Sequence, residues 1–120
     1  MPPRTLRPGQ RAELHVIDVT TGERELVYSS STLLFEAPNW APDGASLVIN
    51  GDGLLFRVPA SGGAEPKEIP LGGIPPINND HVLSPDGRTV YVSADDGHLY
   101  AVEIATGRPT RVSNLSLIHI

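Results

Sequence analysis

The chain has 120 residues, which is enough for one small domain, and it contains no cysteine. A disulfide framework and a thiolate metal site are therefore excluded. The formal net charge of −5 argues against a general nucleic-acid-binding surface. No stretch approaches the roughly 20 consecutive apolar residues that a membrane-spanning helix needs.

The chain begins with a proline-rich, basic segment at residues 1–10. This segment is predicted to be a flexible arm, because it has few apolar side chains to bury. Its two arginines, Arg4 and Arg7, are not followed by an apolar stretch, so the arm lacks the pattern of a secretory signal. On this basis the sequence predicts a cytoplasmic protein.

After the arm, apolar and polar residues alternate in short runs separated by turns, which is typical of β-strands. Residues 11–32 predict two strands, and residues 33–70 and 78–114 predict four strands each, joined by a crossing segment at 71–77. No helix is predicted, because proline and glycine interrupt every window. The strands expected in the two longer segments are 33–40, 45–50, 54–58 and 67–69, then 80–83, 89–93, 98–104 and 110–112.

A Pro-Asp-Gly turn occurs twice, preceded once by Ala41 and 43 residues later by Ser84. Proline presets φ at the second turn position, aspartate caps the turn, and glycine takes the positive φ that closes it. By this reasoning Gly87, but not Gly9, is expected to need a positive φ. Ala41 lacks the side-chain acceptor of Ser84 but should keep the same turn. The predicted structural turn residues are Pro42, Asp43, Gly44, Pro85, Asp86 and Gly87.

A second repeated feature is a leucine followed eight residues later by a glycine, at Leu14, Leu55 and Leu99. A period of about 40–45 residues with four strands per period is the signature of a propeller blade. The sequence therefore predicts an all-β fold, a partial β-propeller with about two and a half four-stranded antiparallel blades. Residues 11–32 would supply the outer strands of the first blade, 33–70 the second blade and 78–114 the third.

These residues carry a family resemblance. The Ser-Pro-Asp-Gly turn, the apolar strand after it, and the Leu99-Tyr100 strand with its glycine turn resemble the repeat of TolB-like propellers of bacteria, relatives of WD-repeat propellers. The resemblance extends over about residues 11–114. It implies a propeller that binds a protein or a small molecule, although one fold hosts many functions.

The last six residues, Leu115 to Ile120, break the repeat, because they are apolar where a crossing between blades should be polar. They resemble the translated end of a transposase-based sequencing adapter, so residues 115–120 are predicted to be a non-native tail. An open stack of blades would expose apolar faces. The chain is therefore expected to be an N-terminal fragment, with the missing blades C-terminal to Asn114.

One polar cluster, Asn78, Asp80 and His81, could carry chemistry. It falls on an expected inner strand, and inner strands line the channel in which propellers place ligands. Glu36 lies 43 residues before Asn79 and is the fourth candidate ligand-binding residue. Aspartate and histidine can hold a divalent metal, but two or three ligands are too few to define a metal site. In the structural alternative, the asparagine and aspartate cap the entry turn and His81 hydrogen-bonds to a neighbouring blade.

Three further residues are given structural roles. Trp40 is expected to pack between blades. His15 and His98 are expected at exposed strand positions, with no functional role.

No nucleophile, base and oxyanion group are assembled in the sequence. The leading prediction is therefore a non-catalytic binding module without a cofactor. One alternative is a fragment of a metal-dependent enzyme resembling oligogalacturonate lyases, in which Asp80 and His81 would contribute to a metal site. Another is the gating propeller of a prolyl-oligopeptidase-type serine peptidase, with its catalytic domain beyond Asn114.

Overall fold

The computed structural model describes residues 3–113, and this part of the chain contains strands and turns but no helix. The prediction of an all-β fold is confirmed, and the ends of the strands differ from the expected ones by no more than three residues. The strands are β1 (Ala12–Ile17), β2 (Arg24–Ser30), β3 (Phe35–Trp40), β4 (Ser46–Gly51), β5 (Leu54–Pro59), β6 (Lys67–Glu68), β7 (Ile77–Leu83), β8 (Thr89–Ala94), β9 (Leu99–Glu103) and β10 (Arg108–Arg111).

These strands form three antiparallel sheets in chain order. The first sheet pairs β1 with β2, the second runs β3-β4-β5-β6, and the third runs β7-β8-β9-β10. Within residues 3–113 none of the sheets closes on itself, and no helix is available to cross a lipid bilayer. The predicted non-native tail at 115–120 lies outside the described residues.

Two apolar layers hold the sheets together, one on each side of the second sheet. Each fully buried aliphatic side chain in such a layer contributes about 1.5–3 kcal/mol relative to an exposed one. The buried residues of the first layer are Ala12, Leu14, Val27, Phe35, Leu47, Ile49 and Val58. Those of the second layer are Val48, Leu55, Ile69, Ile77, Val90, Val92 and Val102.

Both Pro-Asp-Gly turns close in the same way. The N–H of Gly44 donates to the carbonyl of Ala41, and the N–H of Gly87 donates to the carbonyl of Ser84, each at 2.9 Å. The two glycines have φ values of 71° and 72°. The Ser84 hydroxyl also donates to Oδ1 of Asp86 at 2.6 Å and accepts a backbone N–H at 3.1 Å. The turn at Ala41 thus lacks the two bonds of the serine hydroxyl but keeps the geometry, as the sequence predicts.

The expectation for Gly9 is wrong. Gly9 also has a positive φ, 81°, because it lies in a turn closed by the N–H of Gln10 and the carbonyl of Arg7 at 3.0 Å. This turn lies outside the repeated segments, so the repeat gives no signal for it. A β-branched residue would therefore be strained at Gly9 as well as at Gly87.

The crossing segment ties together two hairpin turns. Asp52 and Gly53 form a two-residue turn in which both φ values are positive, 53° and 75°, as in a type I′ hairpin. The N–H of Ile77 donates to the carbonyl of Gly53 at 3.0 Å, and the N–H of Asp95 donates to the carbonyl of Pro76 at 2.8 Å. The start of β7 is therefore fixed against the turns that follow β4 and β8.

The same crossing segment packs against the turn between β9 and β10. Gly72 and Gly73 both have positive φ, 73° and 78°, so an alanine would meet similar backbone strain at either position. A Cβ at Gly72 would lie 2.4 Å from Cδ of Pro109 and 2.5 Å from the carbonyl oxygen of Gly107. A Cβ at Gly73 would meet nothing within 4 Å.

We expect Gly72→Ala to lower the free energy of unfolding more than Gly73→Ala, by about 1–3 kcal/mol, because the added methyl group overpacks the crossing. Urea unfolding of the two variants measures the difference. Equal losses would mean that the crossing does not lie against the turn between β9 and β10.

Candidate functional site

An open cleft of about 390 Å³ lies beside the first strands of the two four-stranded sheets, β3 and β7. Three of the four predicted site residues, Glu36, Asn78 and Asp80, line it. The structure therefore brings together candidates that are 42 or more residues apart in sequence. The other polar side chains of the lining belong to Arg4, Asn50, Asp52, Asn79 and Asp95.

His81 does not line this cleft and is buried, with 7% of its surface exposed. Its Nδ1 lies 3.1 Å from Nδ2 of Asn39, and its Nε2 lies 3.0 Å from Oδ1 of Asn50. Both asparagines belong to the second sheet, whereas His81 belongs to the third. The histidine therefore links two sheets, which is the geometry of the structural alternative.

The two asparagine contacts define the protonation state of the His81 ring. The amide N–H of Asn39 donates to Nδ1, so Nδ1 is an unprotonated acceptor and the Nε2–H donates to Asn50. Burial lowers the pKa of His81 because desolvation disfavours the charged ring, and the negative charge of Asp80 offsets part of this effect. The ring is thus held neutral, and neither nitrogen has a free lone pair for a metal.

Asn50 extends this link to the wall of the cleft. It is buried, and its Nδ2 donates to Oδ1 of Asn79 at 2.8 Å. Hydrogen bonds therefore run without a break from Asn39 through His81 and Asn50 to Asn79. Sequence reasoning missed Asn39 and Asn50 as site-supporting residues, although a polar residue that ends the apolar run of β4 is a usable signal.

Asn78 and Asp80 lie in an irregular part of β7. The pairing with β8 shifts between Ile77 and His81, so that residues 78–80 face a single residue of β8. Oδ1 of Asn78 accepts the N–H of Asp80 at 2.9 Å, which closes a local turn inside the bulge. The bulge leaves Asp80 exposed while His81 is buried.

This bulge corrects the predicted match between the two four-stranded sheets. The bulge in β3, just after Glu36, is one residue shorter. Glu36 pairs with Asn50 on β4. The residue 43 positions after Asn50 is Ser93 on β8, and its hydroxyl accepts a hydrogen bond from Nδ2 of Asn78 at 3.2 Å. Glu36 therefore corresponds to Asn78. The constant spacing of 43 predicts Asn79 instead, and that prediction is wrong.

The geometry gives no support to a metal site. Residues 3–113 contain no group of three or more histidine, aspartate and glutamate side chains placed to hold a metal ion. Glu36 is instead ion-paired with Arg4. Asp80 and His81 line a second cleft together, but Asp80 is exposed whereas His81 is buried. Because asparagines engage both ring nitrogens of His81, this histidine and Asp80 do not form a pair of metal ligands.

The remaining predictions for single residues need correction. Trp40 is 53% exposed and does not pack between sheets. His15 and His98 are half-buried rather than exposed. Nε2 of His15 lies 2.9 Å from Oε1 of Glu13, and Nδ1 of His98 lies 3.1 Å from the carbonyl oxygen of Ser113. None of the three lines the cleft.

Two proteins of Agrobacterium resemble this chain, one in sequence and one in structure. No protein-family model matches the chain. Over 83 residues, or 69% of the chain, the sequence is 37% identical to the uncharacterized protein Atu1656 of Agrobacterium fabrum. The matched part is 28% of that protein.

The structure is similar to a solved one described as "putative TolB from Agrobacterium tumefaciens", with a TM-score of 0.66 and 25% sequence identity. The match covers 87% of this chain and 54% of the solved chain, so this chain spans about half the length of that relative. The described residues therefore have a TolB-like fold, as the resemblance implies. The number of blades and the origin of the tail remain predictions.

The buried histidine makes stability depend on pH. The folded-state pKa of His81 is lowered, whereas the unfolded chain keeps the ordinary value of 6.5. As the pH falls through 6.5, the unfolded state binds the proton first, so the free energy of unfolding decreases until the folded-state pKa is reached. This contribution is fully present only above the unfolded-state value.

We expect the wild-type chain to lose more unfolding free energy than His81→Gln when the pH is lowered from about 7.5 to about 5. Urea unfolding at the two pH values measures both losses. The variant His98→Gln is the matched control, because it replaces a half-buried histidine that does not link two sheets. Identical pH dependence in the wild-type chain and in His81→Gln would contradict the burial of a neutral His81.

Proposed function

We propose that this chain is part of a TolB-like β-propeller protein that acts as a non-catalytic binding module for a partner protein or a small molecule. The observation that carries the proposal is the cleft beside β3 and β7, which is about 390 Å³ and is lined by carboxylate and amide side chains. Concave sites with a few convergent polar groups are where proteins usually bind ligands. Glu36, Asn78 and Asp80 are the proposed contact residues.

A binding role fits these residues better than the enzyme alternatives. In the lyase alternative His81 would be a metal ligand, but both of its ring nitrogens are engaged by asparagines. A general base likewise needs a free lone pair within reach of its substrate. No feature of residues 3–113 favours the peptidase alternative, whose catalytic groups would lie in another part of the protein.

The binding proposal is tested by titrating a library of small molecules into the isotope-labelled chain and following the side-chain amide signals of Asn50, Asn78 and Asn79 by NMR. We expect compounds that shift these signals to bind Asp80→Asn more weakly, because a hydrogen-bonded carboxylate contact is typically worth about 1.5–3 kcal/mol. The control is Asp43→Asn, which changes a turn carboxylate outside the cleft.

Two results would contradict the proposal. Equal affinity of Asp80→Asn and the wild-type chain for every compound would place binding elsewhere. Chemical conversion of a bound compound by the wild-type chain, lost in Asp80→Asn, would show that the module is catalytic.

The third sheet has an exposed pair of apolar residues whose counterparts in the first two sheets are buried. A pair of apolar residues recurs on, or just after, the last two strands of each sheet. In the first two sheets the next sheet covers the pair, and each residue is at most 6% exposed. In the third sheet the two residues are 45% and 52% exposed. The pairs are Leu14 with Val27, Leu55 with Ile69, and Leu99 with Val112.

The faces that cover the first two pairs also repeat. Each carries four buried apolar residues, one on the first strand, two on the second and one on the third. The first quartet is Phe35, Leu47, Ile49 and Val58, and the second is Ile77, Val90, Val92 and Val102. We propose that a further sheet with an equivalent quartet covers Leu99 and Val112, as the missing blades expected C-terminal to Asn114 would.

A further inference from the structure

The cleft already holds a basic side chain that belongs to the chain itself. Pro3 and Arg4 of the N-terminal arm line the cleft, and the guanidinium of Arg4 is ion-paired with the carboxylate of Glu36. Leu6 packs against the first apolar layer, which anchors the arm two residues further on. Arg4 therefore sits in the cleft as a ligand would, while remaining attached to the backbone.

The lining around Arg4 suits a cation. Asp52 and Asp80 line the same cleft as Glu36, and Arg4 is the only basic residue among the described residues of the lining. An excess of carboxylates on concave walls attracts cationic groups and repels anionic ones. A guanidinium is planar and presents several N–H donors, so it can bond carboxylate and amide oxygens at the same time.

We propose that the cleft binds an arginine side chain of a partner protein, and that Arg4 occupies the same position when the partner is absent. This inference rests on the proposed binding function and adds the chemistry of the ligand. The side chain of Arg4 is 69% exposed, so its ion pair with Glu36 is weak and easily displaced. The arm lowers the apparent affinity for the partner by the fraction of molecules in which Arg4 fills the site.

The probe for this proposal is N-acetyl-arginine amide, and its neutral counterpart is N-acetyl-citrulline amide. Each is titrated into the full chain while the side-chain amide signals of Asn78 and Asn79 are followed by NMR. We expect the arginine probe to bind and the citrulline probe not to bind. Lower affinity at high salt is also expected, because the cleft is open to solvent and its charges are screened.

Substitutions in the arm separate competition from simple binding. We expect Arg4→Gln to bind the arginine probe about two- to six-fold more tightly than the wild-type chain, because the internal competitor is removed. Arg7→Gln is the matched control, since Arg7 lies in the same arm but does not line the cleft, and it should keep the wild-type affinity. Glu36→Gln should weaken binding, with unchanged spectra away from the cleft showing that it folds.

The outcomes are distinguishable. Unchanged or weaker affinity in Arg4→Gln would overturn the competition, and equal binding of the citrulline probe would overturn recognition of charge. If compounds of the library shift the cleft signals but the arginine probe does not, this inference fails while the binding function stands. If no molecule shifts them, both fail.

Discussion

The structure depends on one constraint: a β-sheet with an apolar face must be covered on that face. Within residues 3–113 the first and second sheets are each covered by the next sheet. Leu14 and Val27 of the first sheet are sealed by the second sheet, and Leu55 and Ile69 of the second sheet are sealed by the third. Apolar residues recur at the same positions in successive sheets. Each sheet can therefore pack on the next through equivalent contacts, as in other repeat architectures.

Stacking in this manner also builds the cleft. It places β3 and β7 next to each other, so that residues from two sheets can share one polar wall. His81 is buried between these strands and stays neutral, and its bonds to Asn39 and Asn50 fix the distance between the sheets. Asn50 then orients Asn79, so the wall of the cleft is held by the same contacts that join the sheets.

The strands and turns could be predicted from the sequence because proline, aspartate and glycine punctuate it at a regular interval and the runs between them are short. The residue-by-residue correspondence between β3 and β7 could not be predicted. The bulge in β7 is one residue longer than the bulge in β3, and a constant spacing of 43 does not account for the extra residue. Within the predicted cluster, the bulge leaves Asp80 exposed at the cleft and buries His81 between the sheets. The position of Arg4 in the cleft could not be predicted from the sequence either, because the composition of residues 1–10 predicts only a flexible arm.

Within residues 3–113 the face of the third sheet that carries Leu99 and Val112 is uncovered. An uncovered apolar face should associate with another copy of the chain, so association is the most direct test of stacking. The measurement is sedimentation equilibrium of the chain over a range of concentrations, compared with the double variant Leu99→Gln, Val112→Thr and with the control Leu26→Gln. Leu26 is also exposed, but it lies on the first sheet. We expect the wild-type chain and the control to associate as the concentration rises and the double variant to associate less. A wild-type chain that stays monomeric at all concentrations would contradict the exposure of an apolar face that needs a cover.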